Sequence, residues 1–188
     1  MLFLLKDIEQ LFARLGASQY SGEPVTQLQH ALQTAWLAEE AGADDALVTA
    51  CLLHDLGHLL NDKGETPTLR GVDDVHQYFA LPFLRELFPA RVLNPIKLHV
   101  DAKRYLCQAD AHYWAALSDD SKRSLQLQGG IYGPEACHAF IAQDGAADAI
   151  QLRRWDDQAK QASRLTPPLS HFLQRAERCL IPSSAAAH

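Results

Sequence analysis

The chain has 188 residues, 47% of them hydrophobic, the size and composition of one domain with a real core. A formal charge of −6 and a pI near 5.8, with no basic stripe, argue against a nucleic-acid surface. An anionic ligand would therefore need a local cationic pocket. Four dispersed cysteines (Cys51, Cys107, Cys137 and Cys179) form no CxxC pair and read as reduced thiols, neither a disulfide frame nor a thiolate zinc site.

The apolar start stops at Lys6, too short for a signal sequence, and no run approaches the roughly 20 apolar residues of a membrane span, so the cytoplasm is the expected location. Leu2, Leu5, Ile8, Phe12 and Leu15 lie at helical spacing until Gly16. After a loop over 17–25, Thr26 and Gln29 form a capping box for a helix running to about Ala41, with Gly42 beyond its end. Gln27, His30 and Thr34 share one face of that helix and point to a polar cavity.

Asp44 or Asp45 should cap the next helix, which carries CLLHDLGHLL over 51–60. An ionised Asp55 inside that apolar run is costly unless a cation faces it, and helical geometry sets His54 and His58 one turn apart beside it. Residues 61–71 read as a polar loop. Asp73 or Asp74 should open a helix bearing His76, which Pro82 kinks or splits.

A helix after Phe88-Pro89 carries Val92, Ile96, His99 and Lys103, with Pro95 inside the pattern. Ser118 reads as the N-cap of a polar helix ending at Gln128-Gly-Gly130, and Gly133-Pro134 starts a short one. A helix over about 147–162 carries Arg153, Asp156 and Lys160, and Pro167-Pro168 precedes a last amphipathic helix over 172–180. Residues 182–188 read as a frayed, disordered tail, leaving 1–181 as a single domain. No period-two alternation is sustained, so the expected class is all-α.

His30, His54, Asp55, His76, His99 and Asp156 come from five predicted helices with apolar sides. Four His and two Asp are too many for one ion with an open position. They suit two ions bridged by Asp55, and a thiolate-free set fits iron, manganese or zinc. His112, His138 and His171 read as packing or surface residues.

His30, His54-Asp55 and Asp156 resemble the metal motif of the HD-domain superfamily, a helical bundle, and His76 with His99 gives its binuclear form. Further motifs narrow the resemblance: Tyr20-Ser-Gly-Glu23, Gln27-x-x-His30-x-x-Gln33, His54-Asp-x-Gly-His58, His99-x-x-x-Lys103, Ser118-x-x-Ser121 and Arg153-x-Trp-Asp156. Together they are similar to the phosphonate-degrading HD-domain oxygenases over about residues 15–165. The stretch around His76, GVDDVHQYF, departs from the family pattern.

The resemblance implies a mixed-valent diiron centre (Fe2+/Fe3+) that uses O2 to cleave the C–P bond of a small α-hydroxyphosphonate such as 2-amino-1-hydroxyethylphosphonate, giving phosphate and a carboxylic acid. One iron would take His30, His54, Asp55 and Asp156, and the other Asp55, His76 and His99. Lys103, Ser121, Arg153 and His58 would contact substrate. Tyr20 and Glu23 would form a lid, with Glu23 facing a substrate ammonium, and Gln27 would support the ligands from behind. Two other functions stay open: an HD phosphohydrolase of a small phosphate ester or nucleotide, and a phosphonate-sensing metal module. No nucleic-acid or membrane partner is expected, and the chain would be a monomer or small homo-oligomer.

Overall fold

The computed structural model describes residues 3–20, 22–61, 67–73 and 75–182. The expectations placed on Leu2, Ser21, residues 62–66, Asp74 and the tail beyond Pro182 lie outside the described residues. The architecture is all-α. Among the described residues the extended pairing is a single antiparallel bridge, Gln19 to Thr26.

Helix α1 (Leu5–Leu15) is closed at its start by Asp7, whose Oδ2 accepts the Leu4 N–H at 2.8 Å. Helix α2 (Gln27–Glu40) has the expected capping box: Thr26 Oγ1 accepts from Gln29 N–H at 3.1 Å, and Gln29 Oε1 accepts from Thr26 N–H at 2.9 Å. Helix α3 (Asp45–Leu53) starts under Asp44, which accepts the Leu47 N–H at 3.0 Å.

The continuous helix expected across 51–60 breaks. Asp55 leaves helical geometry (φ −102°, ψ 11°), and α4 (Leu56–Leu60) starts anew. His54 Nδ1 donates to the Cys51 carbonyl at 2.8 Å, competing for the acceptor that a continuing helix would offer to the Asp55 N–H. The break aims Asp55 inward from a helix junction.

A 3₁₀ turn (Pro67–Arg70) precedes α5 (His76–Phe79) and α6 (Leu81–Leu84), which Pro82 keeps apart as expected. Asp73 Oδ1 accepts the Val75 N–H at 3.1 Å. Val75 itself sits at φ 46°, a costly conformation for a β-branched residue. Helix α7 (Ala90–Ala109) runs on through Pro95. Then come α8 (Tyr113–Ala116), α9 (Asp119–Leu127) under the Ser118 cap, α10 (Pro134–Ile141), α11 (Ala146–Gln158) and α12 (Leu169–Glu177). The expected extent of α11 is corrected: it ends at Gln158, so Lys160 leaves the helical face.

Helices α2, α3, α7 and α11 form the inner bundle, with α12 laid across α3 and α1 against α12. Ile8, Leu53, Phe88 and Phe172 are fully buried in the main core, each contributing about 1.5–3 kcal/mol of transfer free energy. A smaller apolar cluster holds Leu98, Ala102 and Phe140, seating α10 on α7. These cores fix four long helices whose inner faces carry polar residues at mid-height. No described helix is long and apolar enough to cross a membrane.

Candidate metal centre and its cavity

The inner face of α2 presents His30, the α3–α4 junction His54 and Asp55, the start of α5 His76, α7 His99 and α11 Asp156. All six are buried. The structure brings them into one cluster organised about Asp55. Its Oδ2 lies 3.3 Å from His54 Nε2 and 3.5 Å from His30 Nε2. Its Oδ1 lies 3.2 Å from His76 Nε2 and 3.6 Å from His99 Nε2. Asp156 Oδ1 closes the first group at 3.3 Å from His30 Nε2. Two ligand sets thus share one carboxylate, His30–His54–Asp55 and Asp55–His76–His99.

The imidazoles are held from behind. His30 Nδ1 donates to the Ala159 carbonyl at 2.9 Å, His54 Nδ1 to Cys51 at 2.8 Å and His99 Nδ1 to Ile96 at 2.7 Å. A carbonyl only accepts, so each Nδ1 carries the proton, and in a neutral ring the Nε2 lone pair is left facing the cluster. His30 Nε2 and His54 Nε2, whose rings carry their protons on Nδ1, stand 3.3 Å apart, a contact two lone pairs make only with something positive, a proton or a metal ion, between them. Asp55 Oδ2 and both oxygens of Asp156 are buried without a hydrogen-bond partner, although Arg153 Nη1 stands at ion-pair distance (2.7 Å) from Asp156 Oδ2. Orphaned carboxylate oxygens facing converging imidazole nitrogens fit a pair of dications, with no thiolate in the set.

The electrostatics agree. Burial pushes the Asp55 carboxyl up, but the imidazoles of His54 and His58 outweigh it and hold the group well below the usual carboxylate range. Burial likewise opposes ionisation of Asp156, and Arg153 with His30 overcomes it. His30 is pulled down by burial yet raised to about 9 by Asp156 and Asp55, so a proton sits there wherever a cation does not. His99 is pushed well below its ordinary value by burial and by its neighbours His76 and His54.

Gln27 is half-buried in the first turn of α2. The backing comes from the segment after α11. There Ala159 takes His30, and the amide of Gln33, one turn beyond His30, clamps Gln161 (Nε2 to the carbonyl at 2.8 Å, Oε1 from the N–H at 3.1 Å). Gln33 stood in the sequence motif at helical spacing from His30, and this spacing was the available signal.

A cavity of about 50 Å³ opens over the cluster. Lys103, Ser121 and Arg153 line it, as do Tyr20, Glu23 and His58. Lys103 is 2% exposed and donates to Ser124 Oγ at 2.7 Å. Burial, then Arg153, lowers its ammonium to about 7. Arg153 is gripped by Asp157 and reaches the Tyr113 hydroxyl at 3.2 Å. His58 Nε2 lies 3.7 Å from Asp55 Oδ1, and its ring stacks on His76 at 4.1 Å.

Tyr20 and Glu23 are tied to each other: Glu23 N–H donates to the Tyr20 carbonyl at 2.7 Å, Tyr20 N–H reaches the Val25 carbonyl at 3.0 Å, and Gly22 takes φ 73°. Tyr20 stacks on His30 (3.9 Å between centroids), and burial, then Asp55 and Asp156, push its hydroxyl well above its ordinary range. Glu23, expected to face a ligand ammonium, is held instead by Lys160 at 3.0 Å. Lys160, Ser124 and Asp157 were not singled out for the site. Helical spacing from Ser121 pointed to Ser124 and from Arg153 to Asp157 and Lys160, although α11 stops at Gln158 and Lys160 reaches the cavity from the segment beyond it. His112 and His138 are exposed, and His171 pairs with Glu39 on the surface at 2.8 Å.

A match to the HD domain spans residues 28–128. A hydroxymethylphosphonate dioxygenase of Gimesia maris is 42% identical over 166 residues, covering 88% of this chain and 82% of the relative. A [1-hydroxy-2-(trimethylamino)ethyl]phosphonate dioxygenase (glycine-betaine-forming) of Leisingera caerulea is 34% identical over 175 residues, covering 93% and 89%. An uncharacterised protein of Acanthamoeba polyphaga mimivirus is 34% identical over 167 residues, covering 88% and 76%.

Proposed function

The chain belongs to the HD-domain family, among its phosphonate oxygenases, and on that premise we propose that it is a diiron dioxygenase of a small α-hydroxyphosphonate. The reaction uses O2 to break the C–P bond and yields phosphate and a carboxylic acid. Atoms and electrons balance with O2 as the sole oxidant, so no external reductant is required. The named relatives share the α-hydroxyphosphonate unit and differ in what its carbon carries; the shared unit is what we assign. The observation that carries the reading is the division of Asp55, one oxygen toward His30 and His54, the other toward His76 and His99.

His30, His54, Asp55 and Asp156 would hold one iron, and Asp55, His76 and His99 the other. Iron supplies the one-electron chemistry with O2 that side chains lack. The chain's own residues do the rest. Lys103, Arg153 and Ser121 bind the phosphonate oxygens, two by charge-assisted hydrogen bonds and one by a hydroxyl. Lys103, lowered to about 7 in the free protein, regains its proton as the dianion enters. Tyr20 stacks on His30 at the cavity, and the Tyr20–Glu23 loop would swing aside as substrate binds and back to exclude water. His58, against Asp55 Oδ1, hydrogen-bonds the substrate hydroxyl end.

The test is turnover of an α-hydroxyphosphonate by protein purified without added metal, with iron content and valence read by Mössbauer spectroscopy. The reading expects two irons per chain and one phosphate released per O2 consumed. Phosphate release from an ester without O2 would make the protein a hydrolase instead.

A further inference from the structure

The cavity wall holds one ion pair that neither metal binding nor phosphonate binding requires. Lys160 Nζ lies 3.0 Å from Glu23 Oε1 and within 3.3 and 3.4 Å of the Ser118 and Ser121 hydroxyls. Both partners are mostly buried, with side-chain exposures of 13% and 14%. Lys160 also stands 5.9 Å from the Tyr20 ring centroid, so it ties the loop to α9. We propose that Lys160 is a specificity-determining residue: it fills the place a ligand cation would take and selects α-hydroxyphosphonates that carry no ammonium group. This inference rests on the cavity being a phosphonate site.

A cationic ligand binds here only by exchange. Glu23 is a carboxylate facing the cavity, the natural partner for a ligand ammonium there. Lys160 already neutralises it. A ligand ammonium reaches Glu23 only by displacing that of Lys160, which would then be left in the wall with serine hydroxyls for company. One buried pair is traded for another, and the ligand's cation must still be desolvated. A ligand without a cation meets no such exchange. Its dianion faces three positive side chains, Lys103, Arg153 and Lys160, on one wall.

Binding to the iron-loaded protein, measured by calorimetry without O2, tests this with two probes, hydroxymethylphosphonate and 2-amino-1-hydroxyethylphosphonate. The wild type should bind the first at least tenfold more tightly. Lys160→Met frees Glu23 and should shift the ratio of the two dissociation constants at least tenfold toward the aminated probe, whereas Lys160→Arg should keep the wild-type ratio. Glu23→Gln, which retains Lys160, should bind hydroxymethylphosphonate at least as tightly as the wild type. Equal or tighter binding of the aminated probe by the wild type, an unshifted ratio in Lys160→Met, or weaker binding of hydroxymethylphosphonate by Glu23→Gln overturns the inference alone. Failure of both probes to bind the wild type overturns the phosphonate-site reading together with it.

Discussion

The two sides of Asp55 are built differently. On the Oδ2 side, His30 and Asp156 stand on α2 and α11, helices of 14 and 13 residues in the inner bundle, and His54 closes α3. Their backs are tied to backbone carbonyls or to Arg153. On the Oδ1 side His99 has such a base, in α7. His76 opens a helix of four residues just after a strained Val75, and His58 sits on one of five. A long helix holds a ligand through dozens of packing contacts; a single turn holds it through a few. The Oδ1 side includes one very close approach, α4 against α5 at Gly57. A Cβ there would meet the His76 carbonyl oxygen at 2.1 Å.

Asp55 itself is what both sides share. Asp55→Ala should lose both metals and all O2-dependent phosphate release, read by metal analysis and oxygen uptake. Retention of one full equivalent would show that the sides are independent of the bridge.

Gly57→Ala should separate them. The added methyl pushes His76 away, so the Oδ1 metal is lost while the Oδ2 metal stays, at a cost of about 1–3 kcal/mol. Metal per chain and a denaturant titration check both halves of that expectation. Two retained equivalents would mean that α5 is free to yield.

The third test concerns the cationic wall beside both sides. Lys103→Met should raise KM for phosphonate about 10- to 100-fold, the range for losing a charge-assisted hydrogen bond, and leave the metals in place. The pH dependence has a definite sign. The protonated ammonium binds the anion, and in the free protein it titrates at about 7. Hence kcat/KM should fall as pH rises through 7, and Lys103→Arg should abolish that limb.

The smallest effect lies far from the site. Asp45 on α3 accepts from Arg178 and Arg175, and these bonds, outweighing burial, hold its carboxyl below its ordinary 3.8. A depressed folded pKa gives stability present above 3.8 and lost as pH falls through the folded value. Asp45→Asn should therefore lower Tm slightly at neutral pH, with the gap from wild type closing in acid and metal content unchanged.

The helices and the residues that cluster about Asp55 were legible because both are written locally. The Thr26–Gln29 box, the Asp44 and Ser118 caps and the proline breaks each act within four residues, and His30, His99 and Asp156 stand on faces that the 3.6-residue period makes polar. The break at Asp55 was not legible. CLLHDLGHLL reads as an unbroken helix by propensity, and only the inward demand on Asp55 and the His54–Cys51 bond interrupt it. Nor was the Gln33 clamp legible, since Gln161, the group it holds, returns from 128 residues away.

By itself, then, the sequence determined an all-α chain with six candidate metal-ligating side chains spread over its helices, since periodicity, capping and residue chemistry are short-range properties. Tertiary structure decided which oxygen of Asp55 each histidine faces, that Gly57 lets α5 approach, and that Lys160 leaves α11 to neutralise Glu23. These follow from the meeting of segments far apart in the chain, where packing distance and the cost of burying charge choose among arrangements that local rules leave equal.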